Sequence, residues 1–205
     1  MFLDEVADRY FCLPNAANDA FLRLAAGSPQ QGDGQRVRLL VDRGLLIDAG
    51  PGATIVTPAS IVAPGRDLVD ERVRRARPSR IARALTSELH MAWSLRTKPF
   101  LEVIDAVRRV RPGSAEPGAA SEAAAVEIAA AAAALALVTR GHDRCLVRAL
   151  AVHRACRKGR VAGSRLVFGV TAHPFAAHCW VQLGNAVLVG GYEQARLFTP
   201  ILVLG

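Results

Sequence analysis

Apolar positions along the chain change period twice. In the first fifty residues they are sparse: two short β-prone runs around a charged turn, 2–4 and 9–13, predict a hairpin that Pro14 and Asn15 stop. Ala17, Ala20, Phe21 and Leu24 then recur at helical spacing, predicting a helix capped by Asn15 and ended by Gly27. Val37, Leu40 and Val41 mark a second helix over 35–43 with Gly44 as its stop, followed by a short extended piece, 45–47. From 49 to 64 prolines and glycines recur without any period, which predicts a linker or irregular crossover.

Helical spacing returns over 79–93 and again over 99–110, where Phe100, Val103, Ile104 and Val107 share one face before Pro112 and Gly113 break it. An alanine-rich helix is expected over 121–139, capped by Ser121 and ending before Gly141, and another over 145–158 closed by Gly159. Beyond Gly159 the period falls to two: 166–170, 177–183, 186–189 and 198–204 are β-prone runs separated by turn residues. Helices followed by an antiparallel sheet make an α+β domain. The small N-terminal arrangement of hairpin and helices resembles part of a winged helix-turn-helix, so the division expected is 1–66 and 67–205.

Composition narrows the reading. The chain has 205 residues and a formal net charge of +8, compatible with nucleic acid, an anionic lipid surface or an acidic peptide as partner. Much of the charge lies in arginines at 66–80 and 154–160, where a solvated helix face explains it, and few aromatics are interleaved for stacking on bases, so nucleic acid is not expected. The uncharged run 128–139 is well short of the roughly 20 apolar residues of a membrane span, so a packed core helix is expected and no membrane. Four cysteines, with no secretory h-region before them, suit a reducing cytoplasm.

The chemistry concentrates at the helix-to-sheet junction. Asp143 as a helix cap would place Cys145 in the first turn, where unpaired backbone N–H groups and the helix dipole favour a thiolate and could hold an oxyanion. His178 stands in an alternating strand with Trp180 and Gln182 on its face and Cys179 on the other. A thiol at a helix start met by an imidazole from a later strand is the constellation of a nucleophile with its base. A turn at Gly184 and Asn185 would set position 190 or 191 opposite His178; both are glycines, no aspartate follows Asp143, and Glu193 is the acidic residue left to orient the imidazole if the strand bulges. His142, Cys145, His173, His178 and Cys179 carry atoms that zinc accepts, but none of their spacings matches a zinc pattern, so neither metal nor cofactor is expected.

Together the stretches 144–151, 166–170, 174–181 and 198–202 resemble, in order and spacing, the transglutaminase-like leader peptidase family of lasso peptide biosynthesis. The resemblance covers roughly the last two-thirds of the chain. It implies a papain/transglutaminase-like fold that removes the leader from a ribosomally made precursor, so that an asparagine-synthetase-like, ATP-dependent cyclase can close the macrolactam. Cys145 matches that family's nucleophile and His178 its base, while the family's aspartate falls at Gly190 or Gly191. Residues around 2–4, 9–14 and 43–46 look like the precursor-recognition domain often fused to this peptidase, here expected to be incomplete because its first strand is not found before Met1. In that domain a leader adds as a strand, which implies Arg9, Tyr10, Phe11 and Leu13 as the edge and Val37, Leu40 and Val41 as the groove wall. Two other readings remain: an amide-forming acyltransferase, since an amine can resolve the same thioester, and a non-catalytic winged-helix binding protein.

Overall fold

A computed structural model describes residues 1–46, 50, 61–69, 76–110, 119–139 and 144–205. Most of the expected linker, the break at Pro112, and the positions of Ile47, Gly141, His142 and Asp143 lie outside the described residues. Contacts divide the chain into two units, Met1–Phe2 with Tyr10–Ala59, and Leu3–Arg9 with Ser60–Gly205.

Near the N-terminus β1 (Phe2–Asp4) pairs with β2 (Arg9–Phe11) as the expected hairpin. In the first unit, α1 (Asn15–Ala25) and α2 (Asp33–Asp42) follow. Phe11 stacks on Phe2 at 5.4 Å, and Phe21 from α1 meets Phe2 edge-on at 5.2 Å. Asn15 is the first helical residue rather than a cap; Pro14 holds the cap position, without a side-chain bond. The two helices are joined by Asp33, whose carboxylate accepts from Arg23 Nε and Nη2 at 2.8 and 2.7 Å and from the Gln30 N–H at 2.9 Å. Those bonds, Arg23's foremost, hold its carboxyl well below the usual range.

The second unit contains β3 (Arg66–Asp67), α3 (Pro78–Thr97), α4 (Phe100–Arg109), α5 (Ala119–Val138), α6 (Cys145–Lys158), β4 (Ser164–Ala172), β5 (Phe175–Leu183), β6 (Ala186–Val189), α7 (Tyr192–Ala195) and β7 (Thr199–Leu204). Pro78 occupies the first turn of α3, where its missing N–H costs nothing. The amphipathic α4 buries Phe100, Val103, Ile104 and Val107, as its period predicts. Helix α5 starts two residues before the expected Ser121, whose hydroxyl instead accepts from the Ala162 N–H at 3.0 Å. At 20 residues α5 has the length and apolar composition to cross a membrane, yet Ala125, Ala129, Ala132 and Leu135 are buried and the helix packs on α3, α6 and β6.

The sheet has the order β3-β6-β5-β4-β7. The strands beyond Gly159 pair antiparallel, as their pattern predicts, and β3, from much earlier in the chain, adds to β6 in parallel. Its two faces do different jobs, because alternate residues of β5 point opposite ways. Cys179 and Val181 enter the main core with Ala149, Leu150 and Cys156 of α6 and Ile104 of α4, whereas Trp180 joins Val167, Val187 and Ala195 in a second cluster that Phe198 and Tyr192 pack against. Trp180 is wholly buried and keeps its indole N–H satisfied by Gln182 Oε1 at 2.7 Å. Gly169 makes room for that ring: a Cβ there would lie 2.7 Å from Trp180 Cζ3.

Candidate active site

Cys145 is the first residue of α6. Arg144 precedes it in the cap position with no side-chain cap bond, and the sulfur stands at the end of the helix whose N–H groups and dipole favour negative charge. The expected cap, Asp143, lies outside the described residues. His178 stands on β5 opposite Gly169 of β4 and is 7% exposed.

The hairpin between β5 and β6 turns at Gly184 and Asn185, as its spacing predicts. Leu183 pairs with Ala186 and Gln182 with Val187; the register then slips, so that Val181 faces Val189, and the strand ends there. With no β6 residue paired to His178, the chain turns away through Gly190 and Gly191, both at positive φ, 109° and 71°. The turn brings the Gly190 carbonyl to 2.9 Å from His178 Nε2. A carbonyl can only accept, so Nε2 carries the proton and Nδ1 is left with its lone pair. Gly190 cannot readily be anything else: a Cβ would stand 2.5 Å from Trp180 Cβ and 3.2 Å from His178 Nε2. Trp180 and Phe198 flank the imidazole at 6.0 and 5.1 Å. Burial lowers the His178 pKa, and the bond to Gly190 partly opposes that shift.

Both residues line one cleft of about 380 Å³, shared with Asp67, Arg148, Gly190, Gln194 and alanines of α5. Glu193 does not complete the constellation. The short α7 turns it to solvent, 62% exposed, where it accepts from Tyr192 Oη and pairs with Arg196 at 3.2 Å. The structure supplies a backbone oxygen where a carboxylate was expected.

Two polar residues of the cleft were missed from the sequence. Asp67 Oδ1 accepts the Tyr192 N–H at 2.9 Å, bracing the turn that presents Gly190. Nothing local marks it, since its strand is two residues long and depends on pairing with β6. Arg148 could have been found, because a residue three beyond Cys145 lies on the same helix face. It donates from Nε to Glu88 Oε1 at 3.0 Å and from Nη2 to the Thr139 carbonyl and hydroxyl at 3.1 and 3.0 Å, leaving Nη1 without a partner among the described residues.

The other thiols are differently placed. Burial pushes Cys156 up to about 12 and raises Cys179 well above the ordinary range, the latter also by the nearby Cys145. Both stay protonated, whereas Cys145 is half-buried in the cleft and Cys12 is exposed. Of the residues with zinc-binding atoms, Cys179 and His178 leave opposite faces of β5, and His173 lies in the turn before it.

A family model described as the transglutaminase-like superfamily matches residues 85–203, more than half the chain and the whole stretch holding Cys145, His178 and Gly190. The chain belongs to the transglutaminase-like superfamily. No curated protein and no solved structure matches it. The transglutaminase-like fold is generally catalytic, with chemistry of the cysteine peptidase and acyltransferase type. Residues 1–84 fall outside the match.

Proposed function

We propose that this transglutaminase-like chain is a cysteine peptidase that removes the leader from a lasso peptide precursor, with Cys145 as nucleophile and His178 as base. The observation that carries it is the shared cleft in which His178 has its Nε2 proton fixed on the Gly190 carbonyl. Nδ1 of His178 takes the thiol proton, and the Cys145 sulfur attacks the scissile carbonyl carbon. The first-turn N–H groups of α6 receive the oxyanion. As the tetrahedral intermediate collapses, the carbon–nitrogen bond breaks and the imidazolium protonates the leaving amine. Water then gives a proton to His178 and attacks the thioester, releasing the acid and restoring the thiol. The Gly190 carbonyl fills the orienting role that a carboxylate holds in the related peptidases, and Asp67 keeps its turn in place.

The leader assignment draws on the motif order of 144–151, 166–170, 174–181 and 198–202. In the first unit, Tyr10, Phe11 and Leu13 would offer an edge to an added strand, and Val37 and Val41 are half-buried. Leu40 is 3% exposed and belongs to the interior of that unit instead of a groove wall. The free amine generated would pass to an asparagine-synthetase-like cyclase, and a reducing cytoplasm would keep Cys145 a thiol.

The test is mass spectrometry of the full chain with its precursor. Hydrolysis adds the elements of water across one peptide bond, and Cys145→Ala should lower the rate by at least about a thousandfold with an unchanged thermal transition. Undiminished cleavage by that variant would end the proposal. Product lighter by ammonia would assign the same thioester to amide formation instead.

A further inference from the structure

Arg148 lines the cleft of Cys145 and His178, yet no step of the mechanism uses it. It follows Cys145 on the same face of α6, and because helical side chains lean toward the N-terminus, its guanidinium is carried back toward the sulfur's turn. Nε donates to Glu88 Oε1 at 3.0 Å, and Nη2 donates to the Thr139 carbonyl and hydroxyl at 3.1 and 3.0 Å. A planar group held at two nitrogens has the direction of its third set as well. That third nitrogen, Nη1, has no partner among the described residues, and unlike Glu88 Oε2 it is not sealed in the interior, so an occupant of the cleft can reach it. An open donor of fixed direction is pre-organised for an acceptor.

Charge decides which acceptor. The Arg148 cation is matched by the buried Glu88 carboxylate, so the pair carries no net charge, and Asp67 places a second carboxylate in the same cleft. An anionic acceptor is repelled by Asp67 and finds no other arginine or lysine among the described lining residues. An ammonium has no lone pair to offer Nη1. A neutral carbonyl meets neither obstacle. Around it the cleft is lined by short apolar side chains, Ala133 and Ala136 of α5 with Val69 and Val189, which suit an extended peptide carrying small side chains. The acyl part of a peptide stays on Cys145 through both half-reactions, whereas the amine leaves after the first, so a donor mounted on the Cys145 helix serves the acyl part.

We propose that Arg148 is a substrate-binding residue: Nη1 donates to the main-chain carbonyl one residue before the scissile bond and seats the acyl-donor strand against Ala133 and Ala136. The proposal rests on Cys145 as nucleophile and holds equally for hydrolysis and for amide formation.

The experiment follows alkylation of the full chain by acetyl-alanyl-alanine chloromethyl ketone, whose chloride the Cys145 sulfur displaces, with the adduct located by mass spectrometry. A second ketone, in which a carbon–carbon double bond replaces the amide between the two alanines, lacks the carbonyl that Nη1 takes. Its half-saturating concentration should be about tenfold higher on the unchanged chain. Arg148→Lys keeps the charge beside Glu88 but not the fork, so it should raise the half-saturating concentration of the first ketone about tenfold and that of the second by no more than about twofold. The limiting alkylation rate should stay within about twofold for both, because a binding contact acts before the chemical step. Should Arg148→Lys fail to fold, the two ketones on the unchanged chain decide. Equal half-saturating concentrations on that chain would overturn the proposal, as would a variant that lowers the limiting rate of both ketones alike, which is the mark of a residue that only holds α6 in place. Adducts forming no faster at Cys145 than at the exposed Cys12 would refute the nucleophile itself, and the proposal with it, a failure distinct from equal affinities.

Discussion

The second unit and the first are held together by different forces. The second buries Ile104, Leu150, Leu166, Trp180 and Val181 almost completely, so its helices and sheet are stabilised by apolar area removed from water. In the first, Ala20 and Leu40 are the buried apolar residues among those described, and the link between helices is the fork of Arg23 on Asp33. A polar group in the second unit is a fitting mounted on a scaffold that stands without it; in the first, the polar group is part of the scaffold. Function therefore has more room to vary at Cys145, His178 and Asp67 than at Asp33.

The largest expected break is in that apolar scaffold. Leu150 lies fully buried on α6, five residues beyond Cys145, within the core formed with α4 and β5. Leu150→Ala should cost about 2–5 kcal/mol in urea unfolding of the second unit. A loss below about 1 kcal/mol would mean that α6 is held chiefly by polar contacts, as α1 and α2 are, and the contrast would vanish.

Acid separates the two units by the sign and window of their titrations. His153 is buried with Nδ1 unpartnered, and burial lowers its pKa to about 4, with Arg157 and Arg165 adding to the shift. Its unfolded form takes a proton near 6.5, the folded form only near 4, so its contribution to stability is lost between those values as pH falls, on the order of 3 kcal/mol. Asp33 is depressed below its unfolded value of 3.8, so the first unit keeps that contribution down to about pH 4 and loses it only below. Segment-resolved hydrogen exchange should show protection eroding in α6 before it erodes in α1 and α2. Erosion in the reverse order would contradict the assignment.

These contrasts were unevenly legible in the sequence. The alternation of β5 and the turn at Gly184 and Asn185 follow from local pattern, and they put Gly190 or Gly191 beside His178; the structure brings Gly190 there. The periodicity of α4 was equally plain. Asp67 was not, because a two-residue strand has no period and owes its place to a parallel partner far along the chain. Glu193 was misplaced since the bulge and α7 change the facing after Val189, a tertiary outcome that residue types alone do not encode. The fork between Arg23 and Asp33 was missed for a similar reason: it spans a loop rather than a helix turn.

At Gly190 the comparison becomes one between scaffold and chemistry. Gly190→Ala places a methyl against Trp180 and displaces the carbonyl that orients His178. Turnover should fall about 10–100-fold with KM nearly unchanged, because misorientation acts on the reacting geometry. If KM rises instead while turnover holds, the turn contacts substrate and does not orient the base.

Asp67 gives the smallest effect and the finest distinction. Asp67→Ala removes the acceptor for the Tyr192 N–H, a contact of the net strength of one hydrogen bond, so turnover should fall by roughly 3–10-fold while the unfolding transition stays put. Asn at the same position retains an oxygen acceptor without the charge. Recovery of turnover by Asp67→Asn, with an unmoved pH profile, would mean that Asp67 acts by bracing the Gly190 turn. Failure to recover, with the acid limb of the profile displaced to lower pH, would mean that its negative charge supports the His178 imidazolium across the cleft. Either result leaves the fold intact, and a variant at Asp67 that instead unfolded the chain would erase the difference in kind between this carboxylate and Asp33.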